Sequence, residues 1–502
     1  MKTLHDAIQE EMDQLHFIKA LELLDQIPNQ ELQALNWFQK GLCHAAISAP
    51  KQAEQEYQHA LECGGPTSFL AKVWVRLLAL YVQTDQLEKA HAIYHQLEEC
   101  SRNSLKPEFL FYKALYLYET GSLSQALEAA LTLAKMDDPT LLKIRCEAWT
   151  LCGDLYSASG QFQKGVEAYH AALDLLDGWP ENWRDLRQAL ILNNLADLYE
   201  QFERWDMVQA IYEKAWDAIK QIKDEQIYDL NGYKLELLLS MANFQGMIDE
   251  FQEAKKTLQK AKALVNTIAK PAYLYWLSRI NYIEGLCELY CQNPKYDPFE
   301  KLFLAWSLQQ EFLSQSMASS KEYLGRTAYY AAYTYNPQKA QGISQRELYE
   351  QALALFQQCL FKDPKFFGFT IASIQNEVGN LDLLNDPHSA IEWYYKALDS
   401  YERYQADWPE DSFAQSSLLA VILNLFGAQT FEELANPKNP YRGEILLERF
   451  EKALPLVWND PDVHLQAVDA LERLLENEKL YRLWPERLEA IHDAFIQAKD
   501  LH

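Results

Sequence analysis

Two pairs of side chains stand at a spacing that metals use: His91 with His95, and Cys287 with Cys291. Four residues apart on a helix, each pair shares one face, as metal ligands must. Neither pair has a third ligand nearby in the chain, so a solvated histidine face and reduced core thiols are expected, with no metal and no cofactor. No Gly-rich phosphate loop, HExxH string, nucleophile elbow or dinucleotide fingerprint occurs. With 72 acidic residues in 502, any pair of carboxylates picked out as acid and base would be arbitrary. The chemistry that remains is recognition, and the chain is not expected to be an enzyme. Asn193, Asp197 and Asn243 carry groups that can pair with the backbone of a ligand. Arg279, Tyr282 and Tyr329 are of the types that anchor interfaces. An apolar set precedes them: Phe38, Leu42, Phe111, Leu115 and Tyr118.

The elements that must position these residues come from a repeat. Residues 37–60 carry Trp37, Gly41, Ala53, Tyr57 and Ala60, and residues 149–172 carry Trp149, Gly153, Gly165, Tyr169 and Ala172 at matching intervals. Trp74, Tyr81, Ala90 and Tyr94 fit the same frame, as do Leu110, Ala114, Ala126, Ala130 and Leu133. So do Leu192, Ala196, Tyr199, Tyr212 and Ala215, and then Leu238, Ala242, Ala254, Leu258 and Ala261. Small residues let two antiparallel helices approach, and the large ones fill the space beside them.

This order of large, small, aromatic, then small, large and small residues resembles the tetratricopeptide repeat. The resemblance implies an all-α, right-handed solenoid of antiparallel helix pairs whose first helices line a concave surface. The string Asn193-Asn194-Leu195-Ala196-Asp197-Leu198-Tyr199 is similar to repeats of kinesin light chains and of bacterial peptide-sensing regulators. That similarity implies a mode of binding, in which inner-face asparagines hold a peptide. The dicarboxylate clamp of chaperone-binding members needs Lys and Asn where this chain has Phe38 and Leu42, so chaperone tails are not expected partners.

The residues named for recognition lie one position beyond the core positions and recur at intervals of four and three, the spacing of one helix face. The enumeration runs Phe38, Leu42, Ala45; Val75, Ala79, Val82; Phe111, Leu115, Tyr118; Thr150, Asp154, Ser157; Asn193, Asp197, Glu200; Leu239, Asn243; Arg279, Tyr282, Leu286; then Tyr329 and Tyr333. Helix starts are marked by Pro66, Pro107, Pro139, Pro180, Pro271 and Pro364, and by Trp-Pro-Glu at Trp179, Trp408 and Trp484. Regular repeats are expected over 1–268 and longer, irregular ones over 269–408, with breaks at 293–298 and 336–342. A helical cap is expected over 409–502, with helices at 420–426, 445–457, 463–475 and 488–498.

The formal charge of −26 sets a field that repels nucleic acid and anionic membrane and favours a basic polypeptide. Met1 to Asp25 is too acidic for a secretory signal, no apolar run matches a membrane span, and the eight cysteines are sparse. A cytoplasmic protein- or peptide-binding scaffold is therefore the leading expectation. Its rivals are a structural subunit that dimerises through the N-terminal apolar face and, more remotely, an enzyme built on a helical toroid. With no two-residue alternation and roughly a dozen helical hairpins expected, far-ultraviolet circular dichroism should show helix alone. A substantial strand signal would refute the repeat.

Overall fold

The computed structural model describes residues 4–13, 17–28, 32–47, 49–100, 106–179, 181–222, 230–268, 272–292, 294, 296–315, 321–429, 433–434, 443–453, 472, 475–476 and 478–499. Among them there is no strand, and no helix is long and apolar enough to cross a membrane. Contacts divide the chain into two compact units, Met1–Ser320 and Lys321–His502. The divisions at 268 and 408 follow changes in repeat regularity, whereas compactness divides the chain at 320, after a complete helix pair.

In the first unit α1 (Leu4–Asp13) packs on α2 (Phe17–Leu24), α3 (Ala34–Ala46) on α4 (Pro50–Glu62), and α5 (Thr67–Gln83) on α6 (Leu87–Cys100). Then α7 (Lys106–Glu119) packs on α8 (Leu123–Ala134), α9 (Leu142–Ala158) on α10 (Phe162–Asp174), and α11 (Glu181–Gln201) on α12 (Trp205–Lys220). The unit closes with α13 (Leu230–Met247) on α14 (Phe251–Val265) and α15 (Ala272–Tyr290) on α16 (Pro298–Gln315). From α3 onward, each odd-numbered helix also touches the next odd-numbered one, up to α15. The first helices of the pairs therefore share one face, and that shared face positions the candidate site.

The pairs are set by small residues. A Cβ on Gly41 would lie 2.5 Å from the Tyr57 ring, and one on Gly153 would lie 2.5 Å from Tyr169. Gly165 faces Leu198 of the next pair, where an added carbon would come within 2.9 Å. Tyr57, Tyr169 and Tyr212 are each almost wholly buried, at 1%, 2% and 1% exposure, so these rings are the wedges between helices. At the turn between the two helices of a pair, one residue adopts the left-handed conformation: Asp85, Gly121, Gly160, Glu203 and Asp249 in five successive pairs. That common turn fixes the entry of the second helix in these five pairs.

In the second unit α17 (Lys321–Tyr333) packs on α18 (Gln345–Cys359) and α19 (Pro364–Asp382) on α20 (Pro387–Asp407). Next, α21 (Ser412–Ala428) packs on α20 and on α22 (Gly443–Ala453). The same close contacts recur, Gly325 against Phe356 and Gly379 against Tyr394. Asp363, Asp386 and Asp411 each accept a backbone N–H at a helix start, and Ser344 with Glu347 forms a capping box. The irregular insert expected at 336–342 is a turn-rich connection closed by the Tyr335 hydroxyl, which donates to Ile343 O at 2.8 Å. Trp179, Trp408 and Trp484 each stand just ahead of a helix, at Glu181, Ser412 and Pro485. The helix expected at 463–475 and the start signal at Pro271 lie largely outside the described residues.

Because the Tyr169 ring occupies the space a side chain at 153 would need, Gly153→Leu should destabilise the protein by about 1–3 kcal/mol or more. Gly165→Leu should do the same through Leu198. Chemical denaturation checks both. Unchanged midpoints would mean that the helix pair does not depend on this contact.

Candidate functional site

The face shared by the first helices changes character along the first unit. At its N-terminal end Phe38, Leu42, Phe111, Leu115 and Tyr118 are half-buried and pack against a core that includes Val75 and Leu78. Phe38 makes an edge contact with Phe69 at 5.7 Å and a tilted one with Tyr57 at 6.0 Å. Val75, Ala79 and Val82, enumerated on the same face, are buried. Much of the stripe is thus used in packing one helix pair on the next, and its residues keep only part of their surface open.

From α9 onward the face becomes polar, for a reason that begins in the core. Tyr169 and Tyr212 project from second helices with their rings buried, so each hydroxyl needs an acceptor at the edge of the core. The residue after the small first-helix position supplies it. Tyr169 Oη donates to Asp154 Oδ1 at 2.5 Å, and Tyr212 Oη lies 3.0 Å from Asp197 Oδ1 and 2.6 Å from Glu200 Oε1. In the second unit Tyr394 donates to Asn380 Oδ1 at 2.9 Å in the same manner. Asn194 Nδ2 adds a bond from α11 to Asp154 Oδ1 at 3.2 Å.

These carboxylates are held in an unusual state. Desolvation pushes Asp154 up to about 6, against the hydroxyl of Tyr169 and the amide of Asn194, which favour its charge. Desolvation raises Asp197 to about 7; the Tyr212 hydroxyl opposes this, while the Glu236 charge adds to it and Arg279 subtracts. Glu200 rises to about 8 by desolvation and by the adjacent Asp197 charge. Asp197 nevertheless keeps an exposed surface. Asp197 thus lies on the first-helix face, crowded by polar groups of neighbouring helices yet open to water, and not in the core. The pair Asp197 and Glu200 shares one tyrosine hydroxyl, so the two titrate together.

Asn193 is buried at 7% exposure, where the repeat frame expects an accessible side chain. It lies on α11, a helix that contacts both α9 and α13. Its Nδ2 lies 3.4 Å from Asp197 Oδ2, and its Oδ1 has no partner. Asn243, half-buried on α13, directs Nδ2 at Met247 Sδ at 3.5 Å. Leu239, enumerated on this face, is buried. Arg279 on α15 pairs with Glu236 of α13 and lies over the rings of Tyr275 and Trp276 at 5.8 and 5.6 Å. Tyr282 is half-buried against the core between α13 and α15. Tyr329 belongs to the second unit, where its ring meets Tyr330, Tyr333, Tyr349 and Phe356.

Asn193, Asp197 and Arg279 are therefore brought into one neighbourhood, with Asn243 and Tyr282 on helices that continue the same face. Glu236 is not among the residues the sequence singles out, although continuing the three-residue interval back from Leu239 reaches it; Asn194 lies off the enumerated face and enters only through the Asn193–Tyr199 string. The four-residue pairs behave differently. His91 Nδ1 is 2.7 Å from the Tyr116 hydroxyl, and His95 Nε2 is 3.1 Å from His91 Nε2. Burial pushes the Cys287 thiol up to about 11, away from the thiolate a metal would need.

No family model and no curated protein sequence matches this chain. Among solved structures, the chain is similar to the human IFIT1 dimer with m7Gppp-AAAA, with 14% identity over 90% of this chain and 94% of that one, at a TM-score of 0.41. It is also similar to a Rap protein complexed with Competence and Sporulation Factor, with 14% identity over 86% and 99%, at a TM-score of 0.36. At these values the architecture rests on the helix pairing itself.

A carboxylate whose pKa is raised by folding binds its proton more tightly in the native state, so stability is lost as pH rises from the unfolded to the folded value. For Asp197 that window runs from 3.8 to about 7. Asp197→Asn should therefore melt at a higher temperature than the parent at pH 8, with the advantage shrinking to nothing near pH 4. An advantage that is the same at both pH values would show that Asp197 ionises as an ordinary surface carboxylate.

Proposed function

We propose that this chain is a cytoplasmic protein- or peptide-binding scaffold that receives a basic polypeptide segment along the first-helix face of its first unit. The observation that carries the reading is the run of polar groups across α9, α11, α13 and α15, first helices that touch one another in succession. Asn193, Asp197, Asn243, Arg279 and Tyr282 are the contacts proposed, with Phe38, Leu42, Phe111, Leu115 and Tyr118 receiving apolar side chains through the surface they keep. Tyr329 is proposed as a separate contact of the second unit.

The tyrosine hydroxyls account for Asp154 and Asp197 as structural acceptors. They do not account for Asn243, because the second helix of that pair carries Leu258 where the two preceding pairs carry Tyr169 and Tyr212. Nor is a second carboxylate, Glu200, needed for a single Tyr212 proton. Polar groups beyond what folding requires are the signature of a surface kept for something else. The acid excess of the whole chain favours a basic partner and faster association at low salt. The reading is of binding without catalysis.

Selection of a random dodecapeptide display library on the purified protein, followed by hydrogen exchange with the best peptides, tests it. Protection is expected on α9, α11, α13 and α15, and Asn243→Ala should weaken binding by roughly 1–3 kcal/mol through loss of a ligand amide's partner. Protection confined to α10, α12 and α14, or preference for a capped RNA oligonucleotide over every peptide, would contradict the proposal.

A further inference from the structure

Counting donors against acceptors on the first-helix face leaves a one-sided deficit. Asp154 receives both of its hydrogen bonds, from Tyr169 and Asn194, on Oδ1. Asp197 and Glu200 compete for one proton, that of the Tyr212 hydroxyl. Asn193, 7% exposed, has its amide nitrogen 3.4 Å from Asp197 and its carbonyl oxygen with no partner at all. Once the three carboxylates are ionised, each of these four groups that is short of a partner is an acceptor, so a ligand that completes them brings donors.

The same face shows what kind of donor is used elsewhere. Glu147 on α9 is met by Arg187 of α11, and Glu236 on α13 by Arg279 of α15. In each case a guanidinium from one first helix answers a carboxylate on the first helix before it. On α9 and α11 the same face also carries Asp154, Asp197 and Glu200, and among the described residues none of the three makes an ion pair. Arg279 is engaged by Glu236 and acts on Asp197 only at a distance.

We infer that Asp154, Asp197 and Glu200, with the carbonyl oxygen of Asn193, form a site for one guanidinium group, that of an arginine in the bound polypeptide. This rests on the reading of the first-helix face as a polypeptide-binding surface. A guanidinium fits better than an ammonium for two reasons: its five N–H donors lie in a plane that can reach several separated acceptors, and it gives up its hydration more readily on a crowded face. The site extends the arginine-to-carboxylate series of the face by one member, supplied from outside the chain.

The probes are N-acetyl-arginine amide, its neutral isostere N-acetyl-citrulline amide, and N-acetyl-lysine amide, titrated by calorimetry and saturation-transfer NMR at about pH 8.5, where Asp154 and Asp197 are ionised and most of Glu200 is. The arginine probe should bind saturably to the intact protein, with the citrulline probe at least about tenfold weaker, as loss of charge-assisted hydrogen bonds requires. Lysine should fall between them. Glu200→Gln and Asp197→Asn should each weaken the arginine probe by about tenfold while leaving the helical signal intact. No saturable binding of the arginine probe, or equal binding of citrulline or lysine, overturns the guanidinium site, and these comparisons need no variant to fold. Library peptides that protect α9 and α11 yet carry no arginine would sink this inference alone. Failure of every peptide to protect the first helices would sink the broader reading with it.

Discussion

The structure depends on one contact repeated along the chain: a residue with little or no side chain on a first helix lying against a large side chain on the second. Gly41 against Tyr57, Gly153 against Tyr169, Gly285 against Leu302, Gly325 against Phe356 and Gly379 against Tyr394 are its glycine cases, each too close to admit even a methyl group without displacement. Where the wedge is an aromatic ring of fixed shape, the contact sets how near the helices come, and in the five pairs from α5 to α14 the shared left-handed turn sets where the second one starts. Each pair leaves an apolar side uncovered until the next pair arrives, so stability is carried by contacts between neighbours.

Choosing tyrosine as the wedge has a consequence at the surface. A phenylalanine would end in the core, but a tyrosine carries its hydroxyl to the core's edge and must be met there by an acceptor. Asp154, Asp197 and Asn380 stand at equivalent places for that purpose. Beside Tyr57 the equivalent residue is Leu42, which offers no acceptor, and there the first-helix face stays apolar. The polar character of the face from α9 onward is thus partly a by-product of packing. Crowding by the adjacent first helices then makes these carboxylates reluctant to ionise. Packing alone does not ask for Glu200 or for the buried amide of Asn193, and those two residues turn a row of structural acceptors into a candidate binding face.

The repeat was legible because glycine, alanine and the large aromatics recur at fixed intervals, and packing requires those types in that order. Helix starts were legible for a similar reason, since Asp363 with Pro364 satisfies a backbone donor and fixes a backbone angle locally. The division at 320 was not, because it depends on how many contacts cross a connection and not on any residue in it. For the site, the face could be enumerated from helical spacing, but depth could not. Asn193 on α11 and Leu239 on α13 are buried while Asp197 and Asn243, on the same helices and the same face, are not, a difference that helical spacing alone does not carry. The pairing of Arg279 with Glu236 joins residues 43 positions apart, a relation with no local trace in the chain.

The central claim is that buried tyrosine hydroxyls hold the face's carboxylates in place and in part counter the desolvation that would neutralise them. Carbon-13 labelling of aspartate carboxyls, titrated by NMR in the parent and in Tyr169→Phe and Tyr212→Phe, tests it directly. The account predicts midpoints near 6 for Asp154 and near 7 for Asp197 in the parent. Removing the partner hydroxyl should raise each one, Asp154 in Tyr169→Phe and Asp197 in Tyr212→Phe, because a bond to the charged form has been lost. Midpoints in the ordinary aspartate range that do not respond to either substitution would contradict it.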